Sequence, residues 1–297
     1  MSSTGMGHDA LPANPAQSVV MYSTPVMIVM PWQKAVSPIT AFCVAQLIDR
    51  RRTSTMLNYG DAFVAHTRNA CADMFLQSKS EWMLTIDDDM LVPFGAPVWY
   101  REYTGFNFPD PFMGWNTIDR LMSHKKSLVG ATYFSRNPFG IPVYNEGIDP
   151  REAEYVRNGP YDIIKPTRWV GTGCLLIHRS VFEDIEKRFP RLARGPNGRG
   201  GNWFTSTEAS LLDQTQRLHD LLTSGPLTME TGYKALAGLQ GILAAARNEN
   251  TLGAGEDVSF CQRAMSAGHQ PHVDLGLICG HTGTCVYGPH NTRNKKQ

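Results

Sequence analysis

The segment SEWMLTIDDDMLVP, residues 80–93, drives three aspartates straight out of an apolar run and then returns to apolar residues. Trp82, Met83, Leu84, Thr85 and Ile86 read as a short buried strand, and Met90, Leu91 and Val92 resume that character after Asp87, Asp88 and Asp89. An acidic run by itself is most often a solvated loop. With these flanks the carboxylates are expected at a strand end, where their repulsion and desolvation call for a compensating cation. In an extended chain Asp87 and Asp89 point to one side and Asp88 to the other. That spacing suits one metal and one polar ligand.

Outward from this strand the chain alternates strands with helices. Pro25 to Pro31 reads as a first strand. A helix follows from Ser37 or Pro38, with Ile39, Phe42, Val44 and Leu47 facing the core. A second helix is expected after Gly60, capped by Asp61, with Phe63, Thr67, Ala70, Cys71, Met74 and Phe75 on one face. Further strands are expected at Leu128 to Phe134, Trp169 to His178 and His272 to Ile278. Helices are expected from the capping-box pattern Ser180-Val-Phe-Glu183 and from Asp257 to Ala267, the latter stopping at Gly268. Such alternation predicts an α/β sandwich with a mostly parallel central sheet flanked by helices, whose ligands collect at the carboxyl ends of the strands.

One region breaks the rhythm. Residues 190–251 read as an insertion, an Arg and Gly rich loop followed by two amphipathic stretches, Thr207 to Thr223 and Met229 to Arg247. This helical hairpin can pack on the core, cover an acceptor site or form a homodimer surface. Residues 1–20 read as a flexible arm, 21–285 as a single domain and 286–297 as a basic tail.

Composition narrows the function classes. The 297 residues hold 28 Lys plus Arg against 27 Asp plus Glu, so no global positive field draws the chain to nucleic acid or anionic membrane. Arg188, Arg191, Arg194 and Arg199, with Arg293, Lys295 and Lys296 in the tail, can touch phosphates only if they share a face. No apolar run is long enough to span a bilayer, and the chain is expected to be cytoplasmic, with no transmembrane segment. The six cysteines contain no CxxC pair and read as buried free thiols; their crowding with histidines near the C-terminus matches no regular zinc spacing.

Four segments, in order, resemble the signature regions of glycosyltransferases of the GT-A fold, particularly family 2-like enzymes: RNACADMFLQSKSEWMLTIDDDMLVP (68–93), WVGTGCLLIHRSVF (169–182), GEDVSFCQRAMSAG (255–268) and GHTG (280–283). The resemblance covers about residues 24–189 and 252–284 and implies the GT-A (nucleotide-diphospho-sugar transferase) fold. It implies metal-dependent transfer of a sugar from a nucleotide-sugar, a UDP-sugar being the favoured donor, to an acceptor hydroxyl of a saccharide or a hydroxylated DNA base. Asp87 and Asp89 match the Asp-x-Asp positions and His281 the C-terminal histidine, so Asp89, Asp87 and His281 would hold Mn²⁺ or Mg²⁺, with Asp88 as a second contact or an orienting group.

Gly171, Thr172 and Gly173 match the glycine loop that lets backbone approach the donor sugar, and Glu256 and Asp257 match the x-Glu-Asp element, with Asp257 as the general base of an inverting reaction. Arg68 and Asn69 match polar groups set against the nucleotide, and Trp32 lies where the base is expected. From the residues alone, Gly171 and Gly173 can equally mark a bulge, Arg68 a surface salt bridge and Trp32 core packing. A nucleotidyltransferase making nucleotide sugars and an inactive nucleotide-sugar binding protein are the alternatives. The first usually carries a glycine-rich loop after its first strand, which MPWQKAVSPIT lacks; the second would have lost the Asp-x-Asp or Glu-Asp pair.

Overall fold

The computed structural model describes residues 25–32, 35–48, 53–60, 64–95, 116–136, 143–144, 164–190, 201–205, 215, 218–219, 221–223, 228–248, 255–282 and 286–287. The expected N-terminal arm, the Asp61 cap, Phe63, the loop 191–200, most of the first insertion helix and the tail cations lie outside these residues.

A seven-stranded sheet organises the chain, in the order β2-β1-β3-β7-β5-β8-β6. Its first half is built from β1 (Val26–Trp32), α1 (Pro38–Leu47), β2 (Thr53–Gly60), α2 (Val64–Gln77) and β3 (Trp82–Ile86), with β1 pairing parallel to both β2 and β3. The second half holds β5 (Leu128–Thr132), β6 (Ile164–Pro166), β7 (Cys174–His178) and β8 (His272–Ile278). β7 runs antiparallel between β3 and β5, β8 is parallel to β5, and β6 is antiparallel to β8. Five of the seven strands therefore run in one direction, the mostly parallel sheet expected of an α/β sandwich.

The reason is visible in burial. Val26 to Met30 and Cys174 to Ile177 are buried along their whole length, as strands covered on both faces must be. The helices α3 (Thr117–Ser123), α4 (Arg179–Arg188), α5 (Met229–Asn248) and α6 (Glu256–Ser266) complete the named helices. α4 and α6 are locked to α2 by an aromatic cluster in which Phe182 meets Phe75, Trp203, Phe204 and Phe260, with Phe204 stacked on Phe260 at 4.4 Å. The Arg179 guanidinium donates to the carbonyls of Phe75, Leu76, Ser78 and Ser80, satisfying the end of α2 as it turns into β3. α6 ends at Gly268, whose φ of +94° is open to glycine.

Several expectations need correction. Phe42 does not face the core: it is 42% exposed and meets Phe94 edge-on at 5.7 Å, while Thr40 and Cys43 are buried instead. α4 starts one residue before Ser180, because His178 is its N-cap and accepts from the Ser180 N–H. The strand expected from Trp169 starts only at Cys174, and the strand expected to reach Phe134 stops at Thr132. The second insertion helix is present as α5, with Met229, Tyr233, Leu236 and Leu239 exposed.

A small second sheet, β10-β9-β4, adjoins the first at its functional end. It joins β4 (Met90–Leu91) to β9 (Gly280–Thr282) and β9 to β10 (Val286–Tyr287), all antiparallel.

Candidate functional site

The three aspartates do not continue β3 as a strand. They form the tight turn between β3 and β4, closed by the Met90 N–H donating to the Asp87 carbonyl at 3.2 Å, so strand alternation does not govern them. Asp87 and Asp89 consequently face different cations. The Asp88 carbonyl accepts from the Ser37 N–H, which ties the turn to the start of α1.

Asp87 belongs to an interior cluster centred on Arg68 of α2. One guanidinium nitrogen donates to both Asp87 oxygens at 2.8 Å, and the other to Glu256 Oε1 at 2.6 Å and Asp257 Oδ1 at 3.2 Å. The Arg68 side chain is 6% exposed. Burial opposes its charge, but Asp87 and Asp257, followed by Glu256, outweigh it and raise its pKa further. Arg68 is therefore not a surface salt bridge. It is the cation that lets three carboxylates, Asp87 from the β3–β4 turn and Glu256 and Asp257 from the start of α6, share one site.

Asp257 stands in the first turn of α6, where Gly255 is the N-cap. Thr172 donates its hydroxyl to Asp257 Oδ1 at 2.6 Å, so Oδ1 is fixed by Thr172 and Arg68 together, while Oδ2 has no hydrogen-bond donor among the described residues. Burial raises the Asp257 pKa above its usual 3.8, Glu256 and Asp87 adding to the rise against Arg68 and Thr172. A carboxylate with one anchored oxygen, one open oxygen and a raised pKa has the properties of a proton acceptor.

Gly171 and Gly173 flank Thr172, and the structure gives the physical reason for both. A Cβ on Gly171 would come 2.7 Å from Tyr133 Cζ and 2.8 Å from Val143 Cγ1, and one on Gly173 would come 2.8 Å from Tyr133 Cζ. The Gly173 N–H donates to the Tyr133 hydroxyl at 3.1 Å. The glycines thus make room for the Tyr133 ring. The Gly173 carbonyl accepts from the Asp87 N–H at 3.0 Å, which joins this loop to the aspartate turn.

Asp89 lies in a second cluster, whose arginine is half exposed although Asp89 and His281 are mostly buried. Its Oδ1 is 3.2 Å from His281 Nε2, and its Oδ2 meets Nη2 of Arg136. β9 brings His281 opposite Met90 of β4, and Thr282 donates both its N–H, at 2.7 Å, and its hydroxyl, at 2.8 Å, to the Asp89 carbonyl. His281 Nδ1 lies 2.9 Å from the Phe134 carbonyl and must donate to it, which leaves the Nε2 lone pair facing Asp89. Burial lowers the His281 pKa, against the hydrogen bond to the Phe134 carbonyl, which raises it, and Arg136 lowers it further. Arg136 Nε donates to that lone pair at 3.0 Å.

These two ligands fit a divalent cation. Neighbouring ligands of an octahedral ion with bonds of about 2.1 Å stand about 3.0 Å apart, close to the Asp89–His281 separation. Both Asp87 oxygens face Arg68, and among the described residues no group of three or more His, Cys, Asp or Glu side chains forms a metal-holding cluster. Cys43, Cys71, Cys174, Cys261 and Cys279 are buried free thiols, and Cys285 lies outside the described residues.

Of the expected nucleotide contacts, the Asn69 side chain is hydrogen-bonded within the fold and, among the described residues, that of Trp32 is not. Asn69 accepts from the Phe204 N–H at 2.7 Å and donates to Thr205 at 3.1 Å, and with Asp73, which accepts from Gly201 and Trp203, it pins residues 201–205 to α2. Trp32 ends β1, and its buried indole N–H meets no acceptor among the described residues. Tyr133 and Arg136 escaped the sequence reading. Their one signal is position, just past the carboxyl end of β5, where α/β sheets gather ligands.

No family model matches the chain, and no curated protein matches it. Among solved structures it is similar to A197 from STIV, with 12% identity and a TM-score of 0.45 over 90% of this chain and 92% of that one. That overlap is too loose to transfer a fold family or an activity. No described helix is long and apolar enough to cross a membrane.

Proposed function

We propose that the protein is a metal-dependent glycosyltransferase of the GT-A type, moving a sugar from a nucleotide-sugar, with UDP as the favoured nucleotide, to an acceptor hydroxyl. The observation that carries this reading is the meeting of segments far apart in sequence at one end of the sheet. Asp87, Arg68, Thr172 and Asp257 are joined by hydrogen bonds, while Asp89 and His281 are joined through β4 and β9.

Asp89 and His281 would hold Mn²⁺ or Mg²⁺. When bound, the ion neutralises charge building on the departing diphosphate. Asp257 takes the proton of the acceptor hydroxyl at Oδ2, while Thr172 and Arg68 hold Oδ1 and so fix the direction of the open oxygen. The new bond joins the acceptor oxygen to the anomeric carbon as the bond from that carbon to the phosphate oxygen breaks. With Asp257 as general base the reaction would invert configuration, the acceptor attacking from the side opposite the departing diphosphate. Arg68 keeps Asp87 and Glu256 from repelling the carboxylate that must do this work.

The nucleotidyltransferase alternative has no observation in its favour, since the base-and-anchor arrangement of Asp257 has no part to play in it. The test is release of nucleoside diphosphate from a panel of nucleotide sugars, with Mn²⁺ or Mg²⁺, against saccharides and hydroxylated-base DNA as acceptors. Release from one donor with one acceptor class, abolished in Asp257→Asn, is the expected result. Turnover of no donor with any acceptor and either metal would sink the transferase reading.

A further inference from the structure

We propose that Arg136 is the resident cation of the Asp89–His281 site and that a divalent ion enters only by displacing it. The inference rests on the reading of Asp89 and His281 as metal ligands. Its basis is that the guanidinium already satisfies both: Nη2 meets Asp89 Oδ2, and Nε donates to the His281 Nε2 lone pair at 3.0 Å. Without a cation between them, a carboxylate oxygen and an imidazole lone pair 3.2 Å apart would repel. Arg136 supplies that cation from within the chain.

The ligands and the occupant differ in how they are held. Asp89 is tied through its carbonyl to Thr282, and His281 through β9 and the Phe134 carbonyl. This frame stays in place without the arginine. The Arg136 side chain is 52% exposed, and its described partners are only Asp89 and His281. A long side chain on the open side of a fixed frame can leave without disturbing the backbone, and its charge is then resolvated by water. The single Nε2 lone pair of His281 cannot serve a metal and the Arg136 Nε–H at once, so occupancy of that position by one excludes the other.

The consequence is a lowered affinity for the bare ion. Divalent ions must compete with an internal cation, and the site is biased toward ions that arrive with phosphate oxygens, which offer Arg136 a new partner as it leaves.

The test is titration of nucleotide-free protein with Mn²⁺, the free ion being read by its electron paramagnetic resonance signal. Arg136→Met is expected to bind Mn²⁺ about tenfold more tightly than the unmodified chain. Arg136→Gln, which keeps a polar end without charge, is expected to shift the same way, and Asp89→Ala to abolish the gain in either background. Thermal unfolding of each sample shows that the fold is retained. Equal or weaker binding by both Arg136 variants, with the unmodified chain binding through Asp89, would overturn the displacement while leaving the metal reading intact. Absence of Asp89-dependent Mn²⁺ binding in every form would overturn both.

Discussion

Two arginines serve the aspartate turn, and they do so in opposite ways. Arg68 is interior and holds three carboxylates, Asp87 from the β3–β4 turn and Glu256 and Asp257 from α6. Arg136 is half exposed and holds one carboxylate and one imidazole at the rim. The same ionic chemistry therefore gives a permanent strut in one place and an exchangeable counter-ion in the other. Burial decides which: removing a partner from a buried pair strands charge in low dielectric, whereas removing one from an exposed pair leaves it to water. The proposed transferase would use both behaviours, a base held in one direction and a cation position that can be filled and emptied.

The comparison can be broken first through function. Asp257→Asn should lower turnover about 10²–10⁴-fold with nucleotide affinity unchanged, as loss of a general base does; matched loss of affinity would mean that Asp257 binds rather than reacts. Next in size, Arg68→Met should destabilise the fold by about 3 kcal/mol, the low end for a broken buried pair because its carboxylates are partly exposed. A denaturant midpoint close to that of the unmodified chain would remove Arg68 from its role as a strut. Gly171→Ala pushes a methyl into Tyr133 and should cost about 1–3 kcal/mol, the usual price of overpacking.

A subtler effect concerns pH. Burial raises the Asp257 pKa above 3.8, so the folded state holds a proton that the unfolded chain releases. That contribution to stability is complete below pH 3.8 and is lost as pH rises through the folded-state value. Asp257→Asn lacks the loss, so its unfolding midpoint should gain on the unmodified chain as pH is raised from acid to neutral. A constant difference across that range would contradict the raised pKa. The smallest effect sharpens the contrast directly: Arg136→Met should cost about 1 kcal/mol or less, because Arg136 is half exposed even though Asp89 is mostly buried.

How much of this could be read beforehand depended on burial as well. β1, β3 and β7 were readable because central strands covered on both faces must be continuously apolar, as VMIVM, WMLTI and CLLI are. β2 and β6 escaped notice because they are the edges of the sheet, where TSTMLNYG and IKP need no apolar run and Pro166 is tolerated. Phe42 was misplaced because α1 is apolar nearly all round, which leaves its buried face undetermined by pattern.

The site divides in the same manner. Asp89 with His281, and Asp257 with Thr172, were identifiable as side chains of the right chemistry, and the structure brings each pair together. The pairing of Asp87 with Asp89 on one side was not, because alternation belongs to strands and these residues occupy a turn. Arg136 is a lone arginine in an irregular segment, and no spacing marks a residue whose partners are more than forty positions away in either direction.

The most direct measurement is calorimetric titration with UDP, GDP and related nucleotides, with and without Mn²⁺, on the unmodified chain, Asp89→Ala and Asp257→Asn. The account predicts Mn²⁺-dependent binding of one nucleoside diphosphate that persists in Asp257→Asn and disappears in Asp89→Ala. Absence of any nucleoside diphosphate binding by the unmodified chain, with or without metal, would contradict it.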